Sequence, residues 1–319
     1  MNFKEKMMEK YEEMLLLKES LGYSKRTYSS YIVPFIEYCA ANFEDASTIT
    51  REMVDSWLLT DPYRSSNSQR IAIINIRHFT KHLCSTRIPS FIPPSSYNVK
   101  YQPYQPYIFT DDELKYLFDA IDSVKFRKIK ADPARIMPVL YRLELCCGLR
   151  PGEPFKIKCE DINLETGDIF IRKGKRGKDR HIIMSEQMRR LCSIYDEFEG
   201  RREWFFQYKT GEPIPTYWGV YNFAQLLERC SFSYKGNKPR PYDLRHNFAT
   251  RTIMRWIDEG RNIMSLMPYL SEYMGHVTIE ETFYYIHLIP ERLRISPNIK
   301  WDMLSSIYGN KEEKIHEKN

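Results

Sequence analysis

Five short clusters in this 319-residue chain carry residue types that can hold a phosphodiester and attack it. In "CCGLRPGE", Arg150 follows a turn made by Gly148 and Pro151, where a guanidinium can face a ligand while the backbone stays fixed. The tip "GKRGKD" offers Lys175, Arg176 and Lys178 on a short reach. "PYDLRHNFAT" sets Arg245 and His246 in what reads as the first turn of a helix, ahead of Phe248 and Ala249 entering a core. A charged pair there is costly unless something anionic lies against it. "YMGHVT" places His276 directly after Gly275 at a junction between helices, and "TIEETFYYIHL" carries Tyr284 and Tyr285. Taken singly, each has an ordinary reading: an ion-paired arginine, a solvated hairpin tip, a hydrogen-bonded histidine, a packing tyrosine among 23. Order and spacing together change that.

The order resembles the tyrosine recombinases, the phage-integrase family. Their first box, G-L-R-x-x-E, is matched by Gly148, Leu149, Arg150 and Glu153. Their hairpin pattern G-K-x-x-K-x-R aligns with Gly174, Lys175, Lys178 and Arg180. The second box, H-x-L-R-H-x-F-A-T, matches "YDLRHNFAT" at every fixed position but the first, where Tyr242 stands for histidine. The last, L-G-H followed nine residues after the histidine by the nucleophilic tyrosine, matches at Gly275, His276 and Tyr285. "LGYSKRTYSSYIVPFIEYC" looks like the opening of the family's helical core-binding domain.

The resemblance implies a mechanism. Tyr285 would attack the scissile phosphate, form a covalent 3′-phosphotyrosine and release a 5′-hydroxyl, which stores the bond energy without ATP or metal. Arg150 and Arg245 would hold the non-bridging oxygens, Lys175 would protonate the leaving oxygen, and His276 would donate a hydrogen bond. Glu153 and His246 would orient the others. Tyr242 can donate a hydrogen bond, but a phenol of pKa about 10 is a poor base near neutrality. It reads as a tolerated variant. Spacing from His276 favours Tyr285 over Tyr284.

These side chains need elements to carry them. Residues 1–85 read as four helices. The first stops at Gly22, the second carries Pro34 as a kink, and the third is capped by Thr50 or a neighbour. In the fourth, Arg70, Arg77 and Lys81 fall within about 20° of one line, opposite Ala72, Ile76, Phe79 and Leu83. That makes a basic stripe, which the resemblance turns into a candidate DNA contact together with Arg176 and Lys178. A proline-rich stretch then reads as a linker, and Thr110 with its acidic followers starts a helix. The fold class expected is mainly α. An N-terminal helical core-binding (SAM-like) domain, 1–90, and a linker, 91–108, precede an α-rich catalytic domain, 109–310, with a small three-stranded antiparallel sheet. Strand candidates are "FKIKCEDI", "GDIFIRK" and "RHIIMS". The last helix candidate, "IKWDMLSSIYG", is amphipathic enough to dock on a neighbouring subunit, and 311–319 reads as a disordered tail.

Composition is that of an ordinary globular chain, 42% hydrophobic and 28% charged, with a formal charge of +6. Residues 1–105 carry 13 basic against 11 acidic side chains, so any nucleic-acid footprint comes from local clustering. The seven cysteines show no C-x-x-C spacing, so neither disulfides nor a zinc site is expected. No stretch approaches the roughly 20 apolar residues of a membrane span. The expectation is a cytoplasmic, nucleoid-associated recombinase without cofactor, acting on double-stranded DNA as a homotetramer on paired sites. The resemblance also allows an accessory directionality factor. The chain is expected to lack an arm-type DNA-binding domain. Its role is read as mobile-element integration, excision or transposition, with a Xer-like resolvase as the alternative. Two further rivals are a DNA-binding regulator of the same fold that has lost its chemistry and a type IB topoisomerase.

Overall fold

The computed structural model describes residues 2–23, 25–43, 45–61, 64–97, 104–127, 129, 131–172, 174 and 177–288. The chain divides into two compact units, Met1–Tyr104 and Gln105–Asn319. The last helix candidate and the tail lie outside the described residues, as do Lys175 and Arg176.

The first unit holds four helices, α1 (Phe3–Ser20), α2 (Lys25–Asn42), α3 (Arg51–Leu59) and α4 (Ser66–Ser85). Met7, Met14, Phe35, Ile36, Val54, Trp57, Ile76 and Phe79 form one core at helical spacing. Thr50 caps α3, accepting a hydrogen bond from the Met53 amide, and α2 runs through Pro34. The basic stripe on α4 is not three equivalent charges. Arg77 donates from Nε to the Pro93 carbonyl at 2.6 Å and from Nη2 to Pro94 at 2.8 Å. Prolines cannot donate, but their carbonyls still need partners, and Arg77 ties the departing chain to α4. Lys81 is exposed and Arg70 half-buried.

The second unit contains α5 (Asp111–Asp122), α6 (Pro133–Cys147), α7 (Glu186–Glu199), α8 (Thr216–Arg229), α9 (Pro241–Asp258), α10 (Ile263–Met274) and the single turn α11 (Glu280–Phe283). Thr110 caps α5 in a reciprocal box with Glu113, and three acidic residues stand against the helix N-terminus. Strands β1 (Ile162–Asn163), β2 (Asp168–Ile171) and β3 (Arg180–Ile183) form an antiparallel sheet in that order. Ile169 pairs with Ile182 and Ile171 with Arg180, so the buried face of the hairpin presents isoleucines and one arginine.

The stretch "FKIKCEDI" departs from the strand expectation, since only Ile162 of it enters β1. The rest makes two 3-10 turns, Pro154–Lys156 and Cys159–Asp161. Asp161 accepts from the Arg172 guanidinium at 2.7 Å and from the Lys158 amide at 3.4 Å, a local bonding pattern that competes with a ladder. Residues 157–159 pair with 203–205 instead, through the Cys159 amide to Glu203 and the Phe205 amide to Ile157.

The segment that leads into α5 is pinned by one buried amide. Asn247 Oδ1 accepts from the Phe109 amide at 2.9 Å, while Nδ2 donates to the Tyr107 carbonyl at 3.1 Å and to Asp243 at 2.8 Å. Replacing it by alanine leaves buried backbone groups without partners. Asn247→Ala is expected to lower stability by about 2 kcal/mol, read as a shifted midpoint in urea with unchanged slope. A shift below a quarter of that would remove the pinning role.

Candidate active site

Two helices end on glycines in the left-handed region, and the site is built on their ends. Gly148 closes α6 at φ 62° and Gly275 closes α10 at φ 63°. Each spot is also too tight for a side chain. A β-carbon on Gly148 would lie 2.4 Å from the Phe248 ring, and one on Gly275 would lie 2.9 Å from the Arg180 Cδ.

The carbonyls released at these ends receive two arginines. Arg245, the fifth residue of α9 and 0% exposed, donates from Nη1 to the Gly148 carbonyl at 2.5 Å and from Nη2 to Met274 at 2.7 Å. Its Nε is buried with no partner among the described residues. Burial, then the neighbouring Arg150, work against its charge. Arg150 donates from Nη2 to the Gly275 carbonyl at 2.7 Å and from Nη1 to Glu153 at 2.9 Å.

Glu153 is the anchor of the group. Arg180 grips it with two bonds, Nη1 to Oε1 at 2.9 Å and Nη2 to Oε2 at 2.7 Å, while donating from Nε to the Tyr273 carbonyl at 3.0 Å. The Arg150 amide adds a further bond to Oε2 at 2.8 Å. Burial alone would raise the Glu153 pKa, but the bidentate Arg180, the Arg150 amide and the Arg245 charge outweigh it and bring it to about 2. Three guanidiniums therefore surround one carboxylate.

Tyr285 lies beside them in a 3-10 turn, 3% exposed. Its ring stacks on His276 with centroids 5.9 Å apart, and His246 and Tyr284 lie at 5.6 and 6.0 Å. Burial pushes its hydroxyl up to about 12, with Arg245 pulling the other way. His276 is held by Thr282, whose hydroxyl lies 2.6 Å from Nδ1. His246 is pushed down to about 4 by burial, Arg245 and Arg240, so it is neutral near pH 7. Tyr242, 37% exposed, packs its ring 5.0 Å from His246.

Arg150, Glu153, Arg245, His246, His276, Tyr285 and Tyr242 thus come together. Lys178 is exposed on the hairpin, and its carbonyl accepts from the Gly174 amide at 2.8 Å. Gly174, the residue before Lys175, adjoins the Arg180–Glu153 pair. Arg70, Arg77 and Lys81 belong to the other unit. Arg180 stands out in the sequence only as a motif position, and Thr282 not at all. Arg180's signal was a charge at an inward position of an alternating strand. Among the described residues, no group of three or more histidine, cysteine or acidic side chains could hold a metal ion, and no helix is long and apolar enough to cross a membrane.

Fold and residue set together define a class, the tyrosine recombinases. The model described as the phage integrase family matches residues 108–292, more than half of the chain, and the chain belongs to that family. It is 24% identical over 299 residues to the protein y4rB of Sinorhizobium fredii, covering 89% of this chain and 93% of that one. It is 25% identical over 277 residues to the tyrosine recombinase XerA of Saccharolobus solfataricus, covering 84% of each. Among solved structures it is similar to a lambda integrase dimer bound to a COC′ core site, with TM-score 0.67 and 15% identity over 89% of this chain and 95% of that one. A lambda integrase tetramer bound to a Holliday junction gives TM-score 0.65 and 15% identity, over 87% of this chain and 76% of that one. These likenesses are of fold.

The Glu153 cluster makes a pH-dependent contribution to stability. Its folded pKa of about 2 lies below the ordinary 4.5, so the contribution is complete above about pH 4.5 and is lost as pH falls through about 2. Glu153→Gln leaves Arg180 buried without its counter-ion and is expected to cost about 3 kcal/mol at pH 7. Urea titrations of both proteins should converge as the pH approaches 2. A gap independent of pH would rule out the ionic origin.

Proposed function

We propose that this chain is a site-specific DNA recombinase that breaks and rejoins strands through a covalent bond to Tyr285. The observation that carries the reading is the charge of the site: two guanidiniums bond one carboxylate, and a third, Arg245, is buried within reach of its charge and of the buried phenol. Such a cluster is completed by an anion, and a tetrahedral phosphate offers several acceptors to the planar forks.

In the proposed reaction the Tyr285 phenol gives up its proton to solvent as its oxygen bonds to the scissile phosphorus, and the bond to the 5′-oxygen breaks. Arg150 and Arg245 bind the non-bridging oxygens, on which charge builds in the transition state. His276 donates a hydrogen bond to the same phosphate. The leaving 5′-oxygen takes a proton from Lys175, which the family pattern assigns to the hairpin. A free 5′-hydroxyl from another strand reverses the sequence and completes the exchange. Tyr242 supplies a hydrogen-bond donor where the family carries histidine, and Glu153 and His246 orient the others.

The lambda integrase structures, a dimer on a core site and a tetramer on a Holliday junction, support duplex DNA as partner and a homotetramer on paired sites. Phosphate contacts would dominate affinity, drawn from the exposed Lys81 and Lys178 and the half-buried Arg70. Arg77 is committed to Pro93 and Pro94 and is left out of that set. Integration or excision of a mobile element is the first biological reading. The likeness to XerA keeps resolution of chromosomes or plasmids as the second.

A nicked suicide substrate built from DNA flanking the gene tests the chemistry. The native chain is expected to form a covalent protein–DNA adduct, Tyr285→Phe none, and Tyr284→Phe a normal yield. No adduct from the native chain on its own site would leave a DNA-binding regulator, and loss in Tyr284→Phe alone would move the nucleophile. The rate of adduct formation on saturating DNA should climb without levelling between pH 7 and 9, because the phenol that loses its proton to solvent as it attacks is held near 12. A plateau near neutrality would show a histidine-like base at work and contradict that account.

A further inference from the structure

Thr282 sits in α11, six residues after His276, and is 0% exposed. Its hydroxyl bonds His276 Nδ1 at 2.6 Å, the one side-chain hydrogen bond it makes among the described residues. A threonine hydroxyl has a single proton, and a fully buried one must spend it on an acceptor within reach. The acceptor here is Nδ1. A ring nitrogen that accepts carries no proton, so in the neutral imidazole the proton resides on Nε2. The reverse arrangement, Nδ1–H donating to the hydroxyl oxygen, would leave the Thr282 proton buried with nowhere to go.

We propose that Thr282 is a positioning residue that locks His276 as the Nε2–H tautomer and fixes the plane of its ring. This rests on the reading above, in which His276 donates to the scissile phosphate. Donation from Nε2 requires a proton there, and Thr282 secures it without any charge on the imidazole. The backbone contributes to the same end. The His276 amide donates to the Ser271 carbonyl at 3.0 Å, which fixes the residue at the close of α10. Its ring lies within 17° of parallel to that of Tyr285, so a ring freed from Thr282 would also lose its register on the nucleophile.

The tautomer can be read directly from the imidazole nitrogen resonances of the full chain labelled with nitrogen-15 histidine, recorded at a pH where the ring is neutral. His276→Gln identifies which of the seven histidines is concerned. The expected spectrum has a protonated Nε2 and a bare Nδ1. Thr282→Val should give a mixture of tautomers and slow adduct formation on the suicide substrate about tenfold, the lower end of what outer hydrogen-bond partners contribute. Thr282→Ser, which keeps the hydroxyl, should retain both the tautomer and the rate. A protonated Nδ1 in the native chain overturns the proposal, as does a Thr282→Val protein with unchanged tautomer and rate. The native spectrum needs no DNA and no variant at Thr282. An unfolded valine variant therefore leaves the decision to that spectrum and the serine protein. A native chain that forms no adduct would defeat the recombinase reading while leaving the tautomer assignment standing.

Discussion

Everything in the site depends on keeping a guanidinium out of water. Arg245 is fully buried, and a cation stripped of solvent is tolerable only where oriented acceptors replace the water it loses. Here the acceptors are the last carbonyls of two helices, Gly148 on α6 and Met274 on α10. Such carbonyls carry the negative end of the helix dipole and have no partner inside their own helix. Both ends close on glycine because the left-handed turn that frees the carbonyls also brings Phe248 and Arg180 against the α-carbon. Glycine, terminal carbonyl and buried arginine form one dependency, and neither helix could end otherwise without losing the charge.

A second constraint follows. Arg150 and Arg245 repel each other, and Arg180 occupies a strand position that alternation reserves for an apolar side chain. Glu153 reconciles them. It binds Arg180 through both oxygens and Arg150 through side chain and amide, which orients Arg150 toward the end of α10. One carboxylate cannot neutralise three cations, so the cluster is rigid yet still electropositive. That combination is what preorganised binding of a phosphate requires, since donors held in place need no reorganisation when charge develops.

The parts that could be read from sequence are those governed by local rules. Thr110 and Thr50 cap helices because a short hydroxyl followed by a helix-forming run has few other uses. Gly148 and Gly275 were legible as turns, Gly177 as a hairpin residue, and the sheet as three short strands. What escaped was set by partners distant in the chain. Asn247 lies between two motif residues on α9, and its bonds to Tyr107 and Phe109 span about 140 positions. Arg180 and Glu153 are 27 residues apart. Arg77 shared a helical face with Arg70 and Lys81, but periodicity cannot tell a solvated charge from one that Pro93 and Pro94 recruit. "FKIKCEDI" had strand composition and lost its ladder to Pro154 and the bonds of Asp161.

The replacement of histidine by Tyr242 bears on the one proton the site must move. The Tyr285 phenol is held near 12, and His246 lies near 4. Neither matches a neutral-pH proton transfer in the free protein. On the proposed reading, a bound phosphate diester would worsen the mismatch, because its charge offsets the arginines that pull the phenol down. Ionisation ahead of attack therefore becomes steadily less favourable as substrate binds. Oxygen–phosphorus bond formation and loss of the phenolic proton then have to advance together, with charge passing to phosphate oxygens already met by Arg150 and Arg245. A donor such as Tyr242 does not take that proton, which passes to solvent, but it can meet charge on the phosphate oxygens. The burden of the step falls on the arginines, whose placement the two helix ends enforce.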